Sequence, residues 1–208
     1  VGDRVTIRLL LADDQALVLG ALATMLGLEN DIEVVAEVER GDEVVPAAVR
    51  TKPDVALLDV EMPGKDGITA AAELHRLLPE TKVLMVTTFG RPGYLRRAMK
   101  AGVSGFVVKD TPARKLAEIV RRVAAGYRVI DPVLAAETLS SGDSPLTERE
   151  TDVLSVARTG GTVADISRSL GLTEGTVRNY LSSAIGKTEA RTRADAVRIA
   201  EENGWLLR

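Results

Sequence analysis

The stretch "VALLDVEMPGKDG", Val55 to Gly67, decides the fold. Four apolar residues run without alternation into a carboxylate, Asp59. Glu61 follows, then Pro63-Gly64 and Asp66-Gly67, pairs that mark a turn. An unbroken apolar run bounded by turn residues fits a strand covered on both faces, as in a parallel sheet. Taken alone, Asp59 reads as a turn residue. Its neighbours along the chain decide whether it is more.

Working outward from it, short apolar runs alternate with helical patterns over residues 5–127. "TIRLLLA" is a strand and leads into the helical "ALVLGALATMLGL". "EVVAEV" is the second strand, followed by "DEVVPAAVRT", a weak helix with Pro46 near its start. "DVALLD" and "KVLMVTT" are the third and fourth strands, each followed by a helix, "GITAAAELHRLL" and "GYLRRAMKAG". "GFVVK" is the fifth, before "PARKLAEIVRRVAAG", where Pro112 suits the first helical turn. Strands alternating with helices predict an α/β domain: a doubly wound, five-stranded parallel sheet of flavodoxin-like type.

The pattern then changes. Residues 128–144 read as a linker with a short helix, Pro132 to Leu139, ending in the turn-rich "SSGDSP". Residues 145–208 carry only helical patterns, including "VADISRSLG" and "TEGTVRNYLSSAI", and predict a small all-α helix-turn-helix domain. Thr147 with Glu150 forms a capping box, and Thr173 is an N-cap.

Composition removes several function classes. The 208 residues suit two domains, and 45% hydrophobic with 27% charged residues is ordinary for a globular protein. No cysteine is present, so disulfides, thiolate metal sites and cysteine nucleophiles are excluded. The one histidine, His75, lies in a helical stretch and reads as a surface residue, which leaves no Ser/His/Asp triad beside a histidine metal site. A net charge of −3 is not that of a nucleic-acid coat. No apolar run approaches the ~20 residues of a membrane span and the first residues lack a signal-peptide layout, so a cytoplasmic protein without membrane insertion is expected.

Ligands of open α/β sheets bind beyond the carboxyl ends of the strands. Those ends carry Asp13-Asp14 (first strand), Asp59 (third), Thr87-Thr88 (fourth) and Lys109 (fifth). If these strands are neighbours, three carboxylates meet in one crevice, where each close pair repels by roughly 4 kcal/mol. They call for a cation, and all-oxygen ligation with open positions suits Mg²⁺. Asp59 then reads as a nucleophile for an incoming phosphoryl group. Mg²⁺ would be held by Asp14, Asp59 and the main-chain carbonyl of Glu61, with Asp13 acting through water. Lys109 and the Thr87 hydroxyl would face the remaining phosphoryl oxygens. A haloacid-dehalogenase-type phosphatase would need an aspartate where Glu61 stands. "IGKT" at Ile185–Thr188 is no P-loop, because the required glycine is replaced by Leu181.

The helical tail has nine basic and nine acidic residues from Ser144 onward, but they are unevenly spread. Between Thr176 and Arg193 there are four bases, Arg178, Lys187, Arg191 and Arg193, and one acid, Glu189. Val177, Leu181 and Ile185 recur on one side of a helix; Thr176, Arg178, Asn179, Ser182 and Ser183 share the other. That division fits a recognition helix whose polar face enters the major groove of double-stranded DNA, with Thr176, Arg178, Asn179 and Ser182 toward the duplex and Lys187, at the far end, expected at a phosphate. An ordinary amphipathic hairpin with a solvated basic face is the alternative.

"LLLADDQ", "LLDVEMPGKDG", "MVTTFG" and "GFVVKD" together resemble the receiver domain of bacterial response regulators. Lys109 is followed by Asp110, as is usual in the subfamily with a four-helix output domain. "LTERE", "TVRNYLSSAIGKT" and the flanking helices resemble the LuxR-type helix-turn-helix, so the whole chain is similar to NarL/FixJ regulators. Gly186 and Thr188 depart from that pattern; Thr188 stands where the family usually has Leu. The resemblance implies phosphorylation of Asp59 by a sensor histidine kinase and a switch through Thr87 and Phe106. It also implies promoter DNA as the ligand of the tail. "EMPGK-G", "TTF-RPGY" and "VRNY" are most similar to a desaturase-regulating member, which implies membrane-lipid genes as targets. The expected homodimer forms on phosphorylation through the apolar first helix and the last receiver helix, at Leu17, Leu22, Leu116 and Val120. Two other classes compete: an adaptor whose tail binds protein, and an enzyme that turns over acyl phosphates.

Overall fold

A computed structural model describes residues 6–88, 91–140 and 144–206. Phe89-Gly90 of "MVTTFG", residues 141–143 of the expected linker, and the outermost residues of both expected domains lie outside them. The described chain divides into two compact units, the main break falling between Glu137 and Thr138, with Arg91–Gly93 grouped with the second unit.

In the first unit the order is β1 (Ile7–Ala12), α1 (Ala16–Gly27), β2 (Ile32–Val38), α2 (Gly41–Thr51), β3 (Val55–Asp59) and α3 (Gly67–Leu77). It continues with β4 (Lys82–Thr87), α4 (Pro92–Lys100), β5 (Gly105–Val108), α5 (Ala113–Ala124) and β6 (Val129–Ile130), and α6 (Pro132–Ser140) then runs across the break between the units. The strands form one parallel sheet in the order β2-β1-β3-β4-β5-β6. Leu9, Leu10, Leu11 and Val55 to Leu58 are buried on both faces, which explains their lack of alternation. The five expected strands are all present. The sixth, β6, corrects the count: after α5 the chain returns along the sheet edge, with Val129 N–H donating to the Ser104 carbonyl and Asp131 N–H to that of Phe106. Pro46 lies well inside α2, not near its start, and the helix still runs on to Thr51.

The expected dimer residues are mostly core. Leu22, Leu116 and Val120 are buried in one cluster with β1, β3 and β4 side chains, because α1 and α5 each turn an apolar side onto the sheet. Leu17 alone of the four faces out, at 86% exposure. Met25 and Leu28, at 37% and 78%, accompany it as exposed apolar residues.

The second unit holds α7 (Glu148–Ala157), α8 (Val163–Leu170), α9 (Glu174–Lys187) and α10 (Arg193–Glu202). Each begins at a threonine, Thr147, Thr162, Thr173 or Thr192, whose hydroxyl accepts from a first-turn N–H. Such caps contribute about 1 kcal/mol each. Two are full capping boxes: the expected Thr147–Glu150 and an unexpected Thr162–Asp165. Gly171, at φ +64°, adopts the left-handed conformation that ends α8 and turns the chain into α9. Val153, Leu154, Ile166, Val177, Leu181 and Ala184 lie at the centre of this unit's core. No helix among the described residues is long and apolar enough to cross a membrane.

Candidate functional site

The sheet order reverses between β1 and β3, and a crevice opens there beyond the strand ends. Register brings the side chains together. Ala12 pairs with Leu58, so Asp13 is level with Asp59. Asp59 pairs with Val86, so Thr87 lies one residue further out. Thr87 pairs with Val108, so Lys109 follows at the same edge, where its N–H donates to the Thr87 carbonyl.

Lys109 Nζ sits 2.7 Å from Asp13 Oδ2 and 3.0 Å from Asp59 Oδ2. Asp59 Oδ1 accepts from the Val60 N–H at 2.7 Å, and Asp13 Oδ1 from the Gln15 N–H at 3.0 Å. Asp13 and Asp59 are buried, and Asp14 is exposed at the mouth. One oxygen from each of these three carboxylates lies within 4.8 Å of the others. Burial pushes the Asp59 carboxyl up to about 6, against the pull of Lys109. Burial pulls the Lys109 ammonium down, but its bonds to Asp13 and Asp59 outweigh that and hold it above its ordinary value. An all-oxygen set of this size, with one carboxyl disfavoured as an anion, fits a hard divalent cation.

Thr87 is buried at the end of β4. Phe106 is fully buried in β5, where it pairs with Met85 of β4. Glu61 carries a contact that sequence reasoning did not anticipate: its Oε1 accepts from the hydroxyl of Tyr94 in α4 at 2.8 Å.

On α9, Val177, Leu181 and Ala184 are buried, while Arg178, Asn179, Ser182 and Ser183 are exposed and Thr176 is half-buried. The helix therefore divides much as expected, except that Ala184 is buried where the pattern places Ile185, which is half-buried. Arg178 pairs with Glu174 at 2.6 Å, an exposed contact of a few tenths of a kcal/mol that a ligand displaces at little cost. Lys187, expected at a DNA phosphate, directs its ammonium to buried Glu150 at 2.8 Å. Glu150 is legible in the sequence as a cap, but its partners across the unit are not.

Residues 9–121 match the response regulator receiver domain, and residues 144–200 match the luxR family of bacterial regulatory proteins. The chain is a response regulator of the NarL/FixJ family. This regulator is 42% identical over 200 residues to the transcriptional regulatory protein DesR of Bacillus subtilis, covering 96% of this chain and 99% of DesR. It is equally similar to the transcriptional regulatory protein YvfU of the same organism, at 42% over 96% of this chain and 100% of YvfU. Among solved structures it resembles the response regulator ChrA of a heme-sensing two-component system, with 28% identity and a TM-score of 0.58 over 97% of this chain and 100% of ChrA.

Proposed function

We propose that this response regulator is a phosphorylation-controlled transcription factor, with residues 5–127 as receiver, 128–144 as connection and 145–208 as DNA-binding domain. One observation carries the reading: Asp13, Asp14, Asp59 and Lys109 converge at the switch point of a parallel sheet. The donor is the phosphohistidine of a sensor histidine kinase. An Asp59 oxygen bonds to phosphorus as the phosphorus–nitrogen bond breaks, and the electron pair leaves with the imidazole. Asp13, Asp14, Asp59 and the Glu61 main-chain carbonyl would hold Mg²⁺, which when bound neutralises charge on the transferring group. Lys109 neutralises a further phosphoryl oxygen, and the Thr87 hydroxyl hydrogen-bonds another. Phe106 shares the switch with Thr87.

The phosphorylated chain dimerises through the outward side of α1, Leu17 first among its residues, and acts in the cytoplasm. Its α9 enters the major groove of promoter DNA with Thr176, Arg178, Asn179 and Ser182 toward the duplex. The Asn179 amide is the base reader, and Arg178 contacts base or phosphate. Membrane-lipid desaturase promoters are the first DNA to test, on the motif likeness to DesR.

The deciding experiment incubates the full chain with a small phosphodonor and Mg²⁺ and counts phosphoryl groups by mass. One group is expected on the wild-type chain and none on Asp59→Ala. Stoichiometric labelling of the variant overturns the assignment.

A further inference from the structure

Glu150 is an acid in the interior of a DNA-binding domain, with 4% of its side chain exposed. Its two oxygens reach two different elements. On its own helix, Oε2 accepts from the Thr147 N–H at 2.7 Å and closes the capping box. Across the unit, Oε1 accepts from Ser183 Oγ at 2.7 Å and Oε2 from Lys187 Nζ at 2.8 Å. Ser183 and Lys187 are four residues apart, so they stand one above the other on one side of α9. The carboxylate is thus a fork that joins the first turn of α7 to the last turn and a half of α9.

The apolar side of α9 does not fix its placement alone. Val177, Leu181 and Ala184 bury surface, but that force is non-directional and tolerates rotation and sliding. Hydrogen bonds to two successive turns are directional and fix both. Asn179 lies one helical turn before Ser183, so an error in rotation at Ser183 reappears at the base-reading face. We infer that Glu150 is a positioning residue for DNA reading, acting through Ser183 and Lys187 to set the rotation of α9. The inference rests on α9 being the recognition helix. It assigns Lys187 an inward role instead of a phosphate contact.

The test uses the full chain and a duplex that the wild-type chain selects from a random-sequence library, with its scrambled counterpart, at two salt concentrations. Glu150→Gln keeps one acceptor oxygen for the Thr147 N–H, turns an NH2 toward Ser183 Oγ, which can accept from it, and removes the charge that holds Lys187. Glu150→Gln is expected to weaken the selected duplex about tenfold, the scale of one charge-assisted hydrogen bond, with scrambled binding and salt slope unchanged. Lys187→Met is expected to do the same, and the double variant to be no worse than either single one. Equal weakening on both duplexes with a shallower salt slope for Lys187→Met makes Lys187 a phosphate contact and overturns the inference. Additive effects overturn it too. If Glu150→Gln fails to fold by circular dichroism, Lys187→Met and Ser183→Ala carry the test, since both leave the capping box intact; wild-type discrimination in both overturns the inference. Asn179→Ala separates the two readings: if it does not change discrimination either, the recognition-helix reading has failed and not only the role of Glu150.

Discussion

Two buried carboxylates, Glu150 and Asp59, shift in opposite directions, and the difference separates the acid of a helix cap from the acid proposed as phosphoryl acceptor. Burial raises both, but at Glu150 the bonds from Lys187, Ser183 and Thr147 win and hold the carboxyl down to about 2. Asp59 has fewer donors and is left near 6. For Glu150 the unfolded chain binds its proton more tightly than the folded one. Its contribution is therefore fully present above about 4.5 and lost as pH falls from there toward 2. The second unit is expected to lose up to about 3 kcal/mol across that window. Trp205, the one tryptophan, packs on the core of that unit and reports its unfolding. Denaturant titrations read by its fluorescence should slope less steeply with pH in Glu150→Gln than in the wild-type chain, the remaining slope coming from Asp165 and Asp195, whose carboxyls the Thr162 cap and the Arg191 N–H also hold down; equal slopes refute the linkage. The ion pair between Glu150 and Lys187 leaves no trace in a linear sequence, because only the fold makes them neighbours.

Among the elements, α9 carries a glycine that its structure does not require. A Cβ at Gly186 would meet nothing within 4 Å, and no left-handed backbone calls for glycine there. Gly186→Ala should therefore stabilise the second unit by about 0.5–1 kcal/mol, chiefly by restricting the unfolded chain. Urea unfolding followed at Trp205 checks this, and a lower midpoint refutes it. The elements themselves were largely legible. Long apolar runs gave β1, β3 and β4, and threonine followed by an acid gave the start of α7. What escaped had little local signal. A strand of two residues, β6, has no period to detect, and its pairing depends on where α5 ends. The α1 sequence "ALVLGALATMLG" is apolar nearly all round, so pattern alone could not separate the buried Leu22 from the exposed Leu17. Tyr94 was unreadable as a partner of Glu61 for the same reason as the 150–187 pair: 33 residues separate the two.

For the whole molecule, the two units differ in the kind of contact that builds them. In the second unit helices with their own threonine caps pack on one another, α7 against α9 and α10 as well as against its neighbour α8. In the first, every strand pair is parallel, so no hairpin can form and each ladder waits for a crossover. The shortest reach is 21 residues, from Leu84 to Gly105, and the longest is 46, from Leu9 to Val55. Refolding from denaturant should then have two phases. Trp205 fluorescence is expected to recover at least about tenfold faster than the last of the far-ultraviolet dichroism, as helical units outpace non-local sheets. Identical single-exponential recovery of both signals refutes the separation. The all-parallel order β2-β1-β3-β4-β5-β6 also bears on biosynthesis. During translation β1 appears first, yet its neighbour β3 follows 46 residues later, so Leu9, Leu10 and Leu11 wait on the ribosome without their central partner. The unit made first is then expected to finish folding last, and its first strand, with Leu9 to Leu11, is the segment a chaperone would meet.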